Sequence, residues 1–180
     1  MRDSLSGYTL IEAVLVIMIG VASSLFAMPT FSGALRSWQL IADARNISTT
    51  LAYSKLKAVS QATRYQIAFD IAGNGWTVQR FNRSTGSYEN DGSPAFLSSG
   101  LARSGIDFQA SPATGLPGFP VTSSAIIRFN SRGFPIDTSG APTASNVIYL
   151  TNGKINNAIS VSLTGRVESW RYVGNQWALQ

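Results

Sequence analysis

Residues 7–28 read GYTLIEAVLVIMIGVASSLFAM, and this stretch decides how the chain is organised. A helix that spans a bilayer needs about 20 apolar residues, which the stretch supplies. Glu12 is its one charged side chain. A carboxylate in the middle of a membrane helix costs roughly 2.5–3.5 kcal/mol. We therefore expect Glu12 to pair with a cation that also lies in the membrane, so that the segment serves assembly as well as anchoring.

The composition limits what the rest of the chain can do. A length of 180 residues fits one domain plus the apolar segment. The absence of cysteine and histidine excludes a disulfide framework and most zinc sites. No nucleophile, metalloprotease or phosphate-loop motif occurs, so we expect neither an enzyme nor a cofactor. The net charge of +5 is compatible with anionic partners.

One polar stretch, residues 82–92, carries oxygen ligands that would suit calcium. Its candidate ligands lack the spacing of an EF-hand loop, so we predict an ordinary polar loop without metal; they are Asn82, Glu89, Asn90 and Asp91.

The N-terminal segment has three interpretations. A cleaved signal peptide could end at Leu25–Ala27, but Glu12 and the length of the apolar run count against it. A plain signal anchor would let Glu12 reach the interface from near the cytoplasmic end. The third interpretation is a short leader that a dedicated peptidase removes.

The third interpretation comes from a resemblance. The sequence GYTLIE from Gly7 to Glu12 resembles the cleavage and methylation motif of type IV pilins and type II secretion pseudopilins. The resemblance implies that prepilin peptidase cuts between Gly7 and Tyr8 and that the new amine is methylated. Tyr8 stands where this family usually has Phe, and Pro29 falls where its members commonly carry a helix-kinking proline. Glu12 would then pair with the Tyr8 amine of a neighbouring subunit.

We predict four parts: a leader at 1–7, a transmembrane and assembly helix at 8–30, its amphipathic continuation at 31–63, and a β-rich periplasmic domain at 64–180. The continuation is predicted from apolar residues at three-, four- and seven-residue spacings, namely Leu40, Ala44, Ile47, Leu51, Ala58 and Ala62. The polar face is predicted to hold Arg36, Gln39, Asp43, Arg45, Asn46, Lys57 and Gln61.

The rest of the chain predicts a sheet. Alternating apolar residues from Tyr65 to Ile71, then a Gly-Asn-Gly turn, indicate a hairpin. Residues 82–123 are predicted to be a long loop region with a short strand near 106–108. A second hairpin is predicted from 125–130 and 131–137, and further strands are predicted at 146–150, 159–163, 166–173 and 176–179. The expected fold class is α+β: a long N-terminal helix packed on a mostly antiparallel sheet.

The second half resembles the GspH/FimT group of minor pilins and pseudopilins, on the strength of Phe129…Gly133 and Gly165-Arg166. That implies a structural subunit of a type IV pilus or a type II secretion pseudopilus, near the filament tip. Its implied partners are other pilins, prepilin peptidase, the inner-membrane assembly platform and, before assembly, the lipid bilayer. Its implied location is the bacterial inner membrane, as a single-pass protein, and then the filament.

Two alternatives stay open. One is a plain membrane-anchored periplasmic domain. The other is DNA capture, because some FimT-like minor pilins act as DNA receptors in natural transformation through basic residues near the late Gly-Arg motif. Glu168 interrupts the basic run here, and nearby tryptophans could stack on bases or simply cover the sheet. The candidate DNA-binding residues are Arg166, Arg171, Arg128, Arg132 and Lys154.

Overall fold

The computed structural model describes residues 9–98 and 105–180, and for residues 25–32 it gives the backbone conformation alone. The chain contains two compact units, one ending at Leu35 and the other formed by Arg36–Gln180. Helix α1 spans Leu10–Ser60. The strands in the described residues are β1 Tyr65–Asp70, β2 Gly75–Asn82, β3 Ser87–Asn90, β4 Ala95–Phe96, β5 Asp107–Gln109, β6 Ile126–Phe129, β7 Pro135–Ile136, β8 Asn146–Thr151, β9 Asn156–Val161, β10 Val167–Val173 and β11 Gln176–Leu179.

Local hydrogen bonds fix both ends of α1. Thr9 caps the first turn, because its hydroxyl oxygen accepts from the Glu12 amide at 3.3 Å. At the other end Ala62 adopts a left-handed conformation with φ +47°. The amide of Thr63 donates to Ala58 O and the amide of Ala62 donates to Val59 O, each at 3.2 Å. These two bonds form a Schellman motif, which ends the helix and turns the chain into β1.

The predicted apolar stripe forms the buried face of α1. Leu40, Ala44, Ile47, Leu51 and Ala58 are all at most 2% exposed. Ala62 is the exception, since it is exposed in the turn that follows the helix.

Asp43 corrects the predicted polar face, because its side chain is buried rather than exposed. Its carboxylate accepts hydrogen bonds from the amide of Ser98 at 3.0 Å and from the hydroxyl of Ser98 at 2.8 Å. Burial raises the pKa of Asp43, and the two bonds from Ser98 partly offset that rise. Periodicity placed Asp43 outside the core because it could not show that a distant loop covers this side of the helix.

The strands form two antiparallel sheets where the sequence predicted one. Sheet 1 has the order β3-β2-β1-β6-β7, with β4 also paired to β2, and sheet 2 has the order β11-β10-β9-β8-β5. The predicted fold class, a long N-terminal helix with an antiparallel α+β domain, is confirmed.

Residues 82–123 contain more structure than the sequence indicates. β3 pairs with β2 through Tyr88 and Phe81, and β4 pairs with the start of β2 at Trp76. Pattern analysis missed β3 because this edge strand, SYEN, has little apolar alternation. Farther on, the hydroxyl of Tyr149 accepts from the Leu116 amide and donates to Pro120 O, which holds the 111–123 loop on sheet 2.

One main core joins the helix to both sheets. It contains the buried stripe of α1 together with Ile67 and Ile127 of sheet 1 and Ile148 and Ile159 of sheet 2. A smaller cluster around Leu116, Val147 and Tyr149 lies on the other face of sheet 2. Sheet 2 is therefore apolar on both faces, whereas the outer face of sheet 1 is polar and aromatic.

Candidate functional site: an exposed helix segment and a Gly-Arg junction

The first turns of α1 present apolar side chains to the surroundings. Leu10, Ile11 and Met18 are 83%, 73% and 68% exposed, and the other large apolar residues up to Val21 are also exposed. Soluble proteins rarely leave such a continuous apolar surface uncovered unless it serves as an interface or contacts a membrane.

The predicted processing and assembly residues fall at the edge of what the structure describes. Gly7 and Tyr8 lie outside the described residues. Glu12 is exposed in the first turn of α1, where the positive end of the helix dipole favours a carboxylate. In the described part of the chain its carboxylate forms no ion pair. Pro29 lies within α1, and its side chain is not described.

A separate finding concerns the membrane. Among the residues that the structure describes, no helix reaches the combined length and hydropathy of a bilayer-crossing segment.

The two glycines that carried the second resemblance touch each other. Gly133 lies in the β6–β7 turn with φ +81°, and Gly165 lies in the β9–β10 turn with φ +73°. A Cβ atom on Gly165 would overlap the carbonyl oxygen of Gly133. A Cβ atom on Gly133 would lie 3.1 Å from side-chain atoms of Lys55 and Val59 on α1. Both positions therefore favour glycine for conformation, and Gly165 also needs it for space, whereas at Gly133 the side chains of Lys55 and Val59 would have to shift by a few tenths of an ångström.

Lys55 fastens this junction to the helix. Its Nζ donates to Gly165 O at 2.9 Å and to Thr164 O at 3.3 Å. The Phe129…Gly133 and Gly165-Arg166 patterns thus mark the point where a turn of sheet 1, a turn of sheet 2 and α1 meet. Sequence reasoning missed Lys55, because its carbonyl partners lie more than a hundred residues away.

The junction brings two of the five candidate DNA-binding residues to one end of the domain. Arg132 directly precedes Gly133, and Arg166 directly follows Gly165. Both arginines are exposed. Arg166 forms an ion pair with Glu168, with Nε and Oε1 3.2 Å apart. The pair reduces the charge that Arg166 offers to a polyanion.

The other three candidates lie elsewhere. Lys154 is in the turn before β9, and Arg171 faces Asn157 near the start of that strand. The length of β9, about 3.3 Å per residue, separates this end from Arg166. Arg128 belongs to sheet 1, where its Nε donates to Gln66 at 2.7 Å. The five cations thus do not form one patch.

The aromatic side chains of the last two strands have internal partners. The indole N–H of Trp170 donates to the hydroxyl of Ser160 at 2.9 Å, and that of Trp177 donates to Gly115 O at 3.0 Å. The ring of Trp177 also packs on Tyr172 at a centroid distance of 5.2 Å. These contacts favour the second of the two alternatives for the tryptophans, which is that they cover the sheet.

The oxygens of the 82–92 segment are used by hydrogen bonds within the chain. Asn82 Nδ2 donates to Glu89 at 2.7 Å, and Asn90 Oδ1 accepts from Gln79 at 2.9 Å. Lys57 pairs with Asp91 at 2.7 Å. This hydrogen bond from Lys57 lowers the pKa of Asp91.

Comparison with known proteins identifies the class. Residues 43–166, more than half of the chain, match the family described as Type II transport protein GspH. The chain therefore belongs to the GspH family of pilin-like and pseudopilin subunits, which assemble with other pilins into filaments.

Solved structures that this chain resembles include the following two. The minor pseudopilin EpsH of the Type 2 Secretion System of Vibrio cholerae superposes with a TM-score of 0.51 at 9% identity, covering 73% of this chain and 95% of that one. The type IV minor pilin FimU of Pseudomonas aeruginosa gives 0.49 at 20% identity, covering 71% and 85%. A comparison with curated proteins finds no match.

Proposed function

We propose that this chain is a minor subunit of a type IV pilus or type II secretion pseudopilus, and that it lies near the filament tip. The observation that carries the proposal is the exposed apolar surface of α1 around Glu12. Family membership supplies the filament context. The role is structural, and no residue of the chain is assigned to catalysis.

The proposed sequence of events follows the N-terminal motif. Prepilin peptidase removes residues 1–7, and the amine of Tyr8 is methylated. The apolar segment holds the chain in the inner membrane, with the domain in the periplasm, until the assembly platform passes it to the filament. There Glu12 pairs with the Tyr8 amine of a neighbour, and the two charges neutralise each other away from water.

Mass spectrometry of the mature N-terminus tests processing. The full chain is expressed with and without prepilin peptidase, and the membrane fraction is analysed. We expect a chain that begins at methylated Tyr8 only when the peptidase is present. A Gly7→Val variant serves as the control and should keep the leader at residues 1–7. An uncut wild-type chain, or a cut at another position, contradicts the proposal.

The Glu12→Ala variant tests assembly. An unpartnered amine in an apolar interface costs roughly 3–5 kcal/mol, so incorporation into sheared filaments should fall at least about tenfold. Membrane insertion should stay unchanged. Ser23→Ala is the matched control, since Ser23 is exposed on the same segment and bonds to Ile19 O of its own helix. Incorporation of Glu12→Ala at the wild-type level would contradict the pairing of Glu12 with the Tyr8 amine.

A second candidate function, DNA capture, has one supporting observation. The contact between Gly133 and Gly165 brings the backbones of Arg132 and Arg166 to one end of the domain. Gel-shift titration of the full chain tests it. Binding that weakens with salt and is lost in Arg132→Ala and Arg166→Ala supports DNA capture, whereas no binding at low salt contradicts it.

A further inference from the structure

A polar cleft opens on the outer face of sheet 1, at the end where α1 finishes. Its volume is 650 Å³, and it lies wholly within the Arg36–Gln180 unit. The residues that give it chemical character are Arg64, Arg83, Phe81, Asn130, Ser131 and Ile136. Neither the family motif nor the candidate DNA-binding set includes the two arginines.

Both guanidinium groups are positioned without a carboxylate. Arg83 Nη2 donates to the carbonyl oxygen of Ala62, in the turn that ends α1. The Arg64 guanidinium carbon lies 5.6 Å from the centre of the Phe81 ring, in a cation–π contact. In the described part of the chain the ion pairs are Lys57–Asp91 and Arg166–Glu168. The arginines of the cleft are thus held in place while their charge is not neutralised.

The cleft wall adds further donors. The side-chain oxygen of Asn130 already accepts from the amides of Arg132 at 2.9 Å and Phe134 at 3.0 Å. That orients the Asn130 side chain and leaves its NH₂ group as the part available to a ligand. Ser131 contributes a hydroxyl group. Two guanidiniums, an amide NH₂ and a hydroxyl favour a ligand that only accepts hydrogen bonds, which is an oxyanion.

A nearby carboxylate limits how much negative charge the cleft can hold. Asp137 precedes the turn that reaches Gly140 on the rim of the cleft. Its carboxylate accepts from the hydroxyl and amide of Ser139 and from the amide of Ala141. The hydrogen bond from the Ser139 hydroxyl is the main reason why the pKa of Asp137 is lowered, so this group is ionised at neutral pH. This negative charge disfavours a long polyanion more than a short peptide segment that carries a few carboxylates.

The size and the apolar part of the cleft indicate a peptide. A volume of 650 Å³ accommodates one or two side chains with their backbone, not a nucleic acid duplex. Phe81 offers apolar surface for the methylene groups of such side chains, and the largely buried Ile136 lies beside it. Arg128, the next cation on this face, is engaged by Gln66 and by the ring of Tyr88 at 5.3 Å.

From these observations we infer that the cleft binds the carboxylate side chains of an acidic peptide segment on a partner protein. Arg64 and Arg83 bind the carboxylates, Asn130 and Ser131 complete the donor set, and Phe81 supplies the floor. This binding uses residues of the isolated subunit and does not require that the chain enters a filament.

Calorimetric titration of the full chain in detergent tests the inference at low salt. The probe is the blocked peptide Asp-Glu-Asp-Gly, and the control peptide is Asn-Gln-Asn-Gly. We expect the acidic peptide to bind, and both Arg64→Gln and Arg83→Gln to weaken it at least about tenfold. Arg45→Gln removes the same charge from an exposed position on α1 and should leave affinity unchanged within about twofold.

Three outcomes overturn the inference. Equal weakening by Arg45→Gln would show general attraction to a basic protein. Equal binding of the control peptide would show that carboxylates are not recognised. The third outcome is that inorganic phosphate or a dT₁₂ strand displaces the peptide and loses more affinity than the peptide does in Arg64→Gln. That result would assign the cleft to phosphate. Because Arg83 also bonds to the turn after α1, Arg64→Gln is the decisive variant, and its thermal unfolding should match the wild type.

Discussion

Both halves of helix α1 carry large apolar side chains, but those of the first half are exposed and those on the stripe of the second half are buried. Leu15 in the first half is 55% exposed, whereas Leu51 in the second half is fully buried. The second half has its apolar residues on one stripe, which the two sheets cover. In the first half the large apolar side chains from Leu10 to Val21 are all exposed. Within one helix, apolar residues on a single stripe are therefore buried, whereas the apolar residues near its N-terminus are exposed.

The largest expected effect separates the two halves directly. Leu51→Ala removes a fully buried side chain from the main core and should lower the free energy of unfolding by about 2–5 kcal/mol. Leu15→Ala should change it by no more than about 0.5 kcal/mol. Urea unfolding followed by tryptophan fluorescence measures both. Equal losses in the two variants would contradict the difference in burial.

The junction between the sheets allows a second matched pair. Gly165→Ala forces an alanine into a left-handed conformation, which costs roughly 1–2 kcal/mol. The new Cβ atom would also overlap Gly133, which adds roughly 1–3 kcal/mol. Gly174→Ala is the control, since Gly174 has φ +57° and open space around its Cβ position. Thermal unfolding should show a clearly larger loss for Gly165→Ala. Similar losses would mean that the contact between the turns can relax.

In the buried half of the helix, Asp43 contributes to stability through its hydrogen bonds with Ser98. Asp43→Ala leaves the Ser98 amide without its acceptor and should cost about 1–3 kcal/mol. Asp43→Asn keeps an acceptor of the same shape and should cost less.

The pH dependence of the same position follows from burial. Burial raises the pKa of Asp43 above 3.8, its ordinary value, so the folded state holds this proton more tightly than the unfolded state. The stabilisation from this group is complete below pH 3.8 and decreases as the pH rises through the raised pKa. The melting temperature of the wild type relative to Asp43→Asn should therefore fall as the pH rises from about 3.5 to 7. A rise over that range would contradict this sign.

The smallest expected effect is a stabilisation at the end of α1. Ala62 has a left-handed conformation with φ +47°, which glycine adopts without the Cβ penalty. Ala62→Gly should raise the free energy of unfolding by up to about 1 kcal/mol. Ala52→Gly, at an exposed position inside the helix, should lower it by about 1 kcal/mol. Calorimetry that shows a loss for both variants would rule out the Schellman geometry at this end.

Sequence patterns predicted the parts of the fold that depend on local periodicity. The stripe from Leu40 to Ala58 and the strands β1, β2, β8, β10 and β11 were found because burial imposes a period of 3.6 or 2 on the residues themselves. β9 was placed about three residues late, because AISVSL continues its alternation beyond the paired residues. The sequence pattern did not predict β3, because an edge strand needs no apolar face.

The N-terminal processing and assembly motif was predictable from the sequence, whereas the cleft in the β-rich domain was not. Gly7, Tyr8 and Glu12 were read from a linear motif, and their processing and assembly roles stay predictions. The cleft of Arg64 and Arg83 could not be found in this way. It is built from the end of a helix, a sheet face and a turn after β6, and these segments are far apart along the chain.

The sequence by itself determined that the chain has an apolar N-terminal segment with one acid, a long helix and a β-rich domain, because hydrophobic periodicity and turn residues act locally. Tertiary structure alone decided that the strands divide into two sheets, that Asp43 is buried, and that Gly133 and Gly165 meet over Lys55. Each of these depends on contacts between residues distant in sequence. Such contacts form only when the packed elements bring them together, and no local pattern records them.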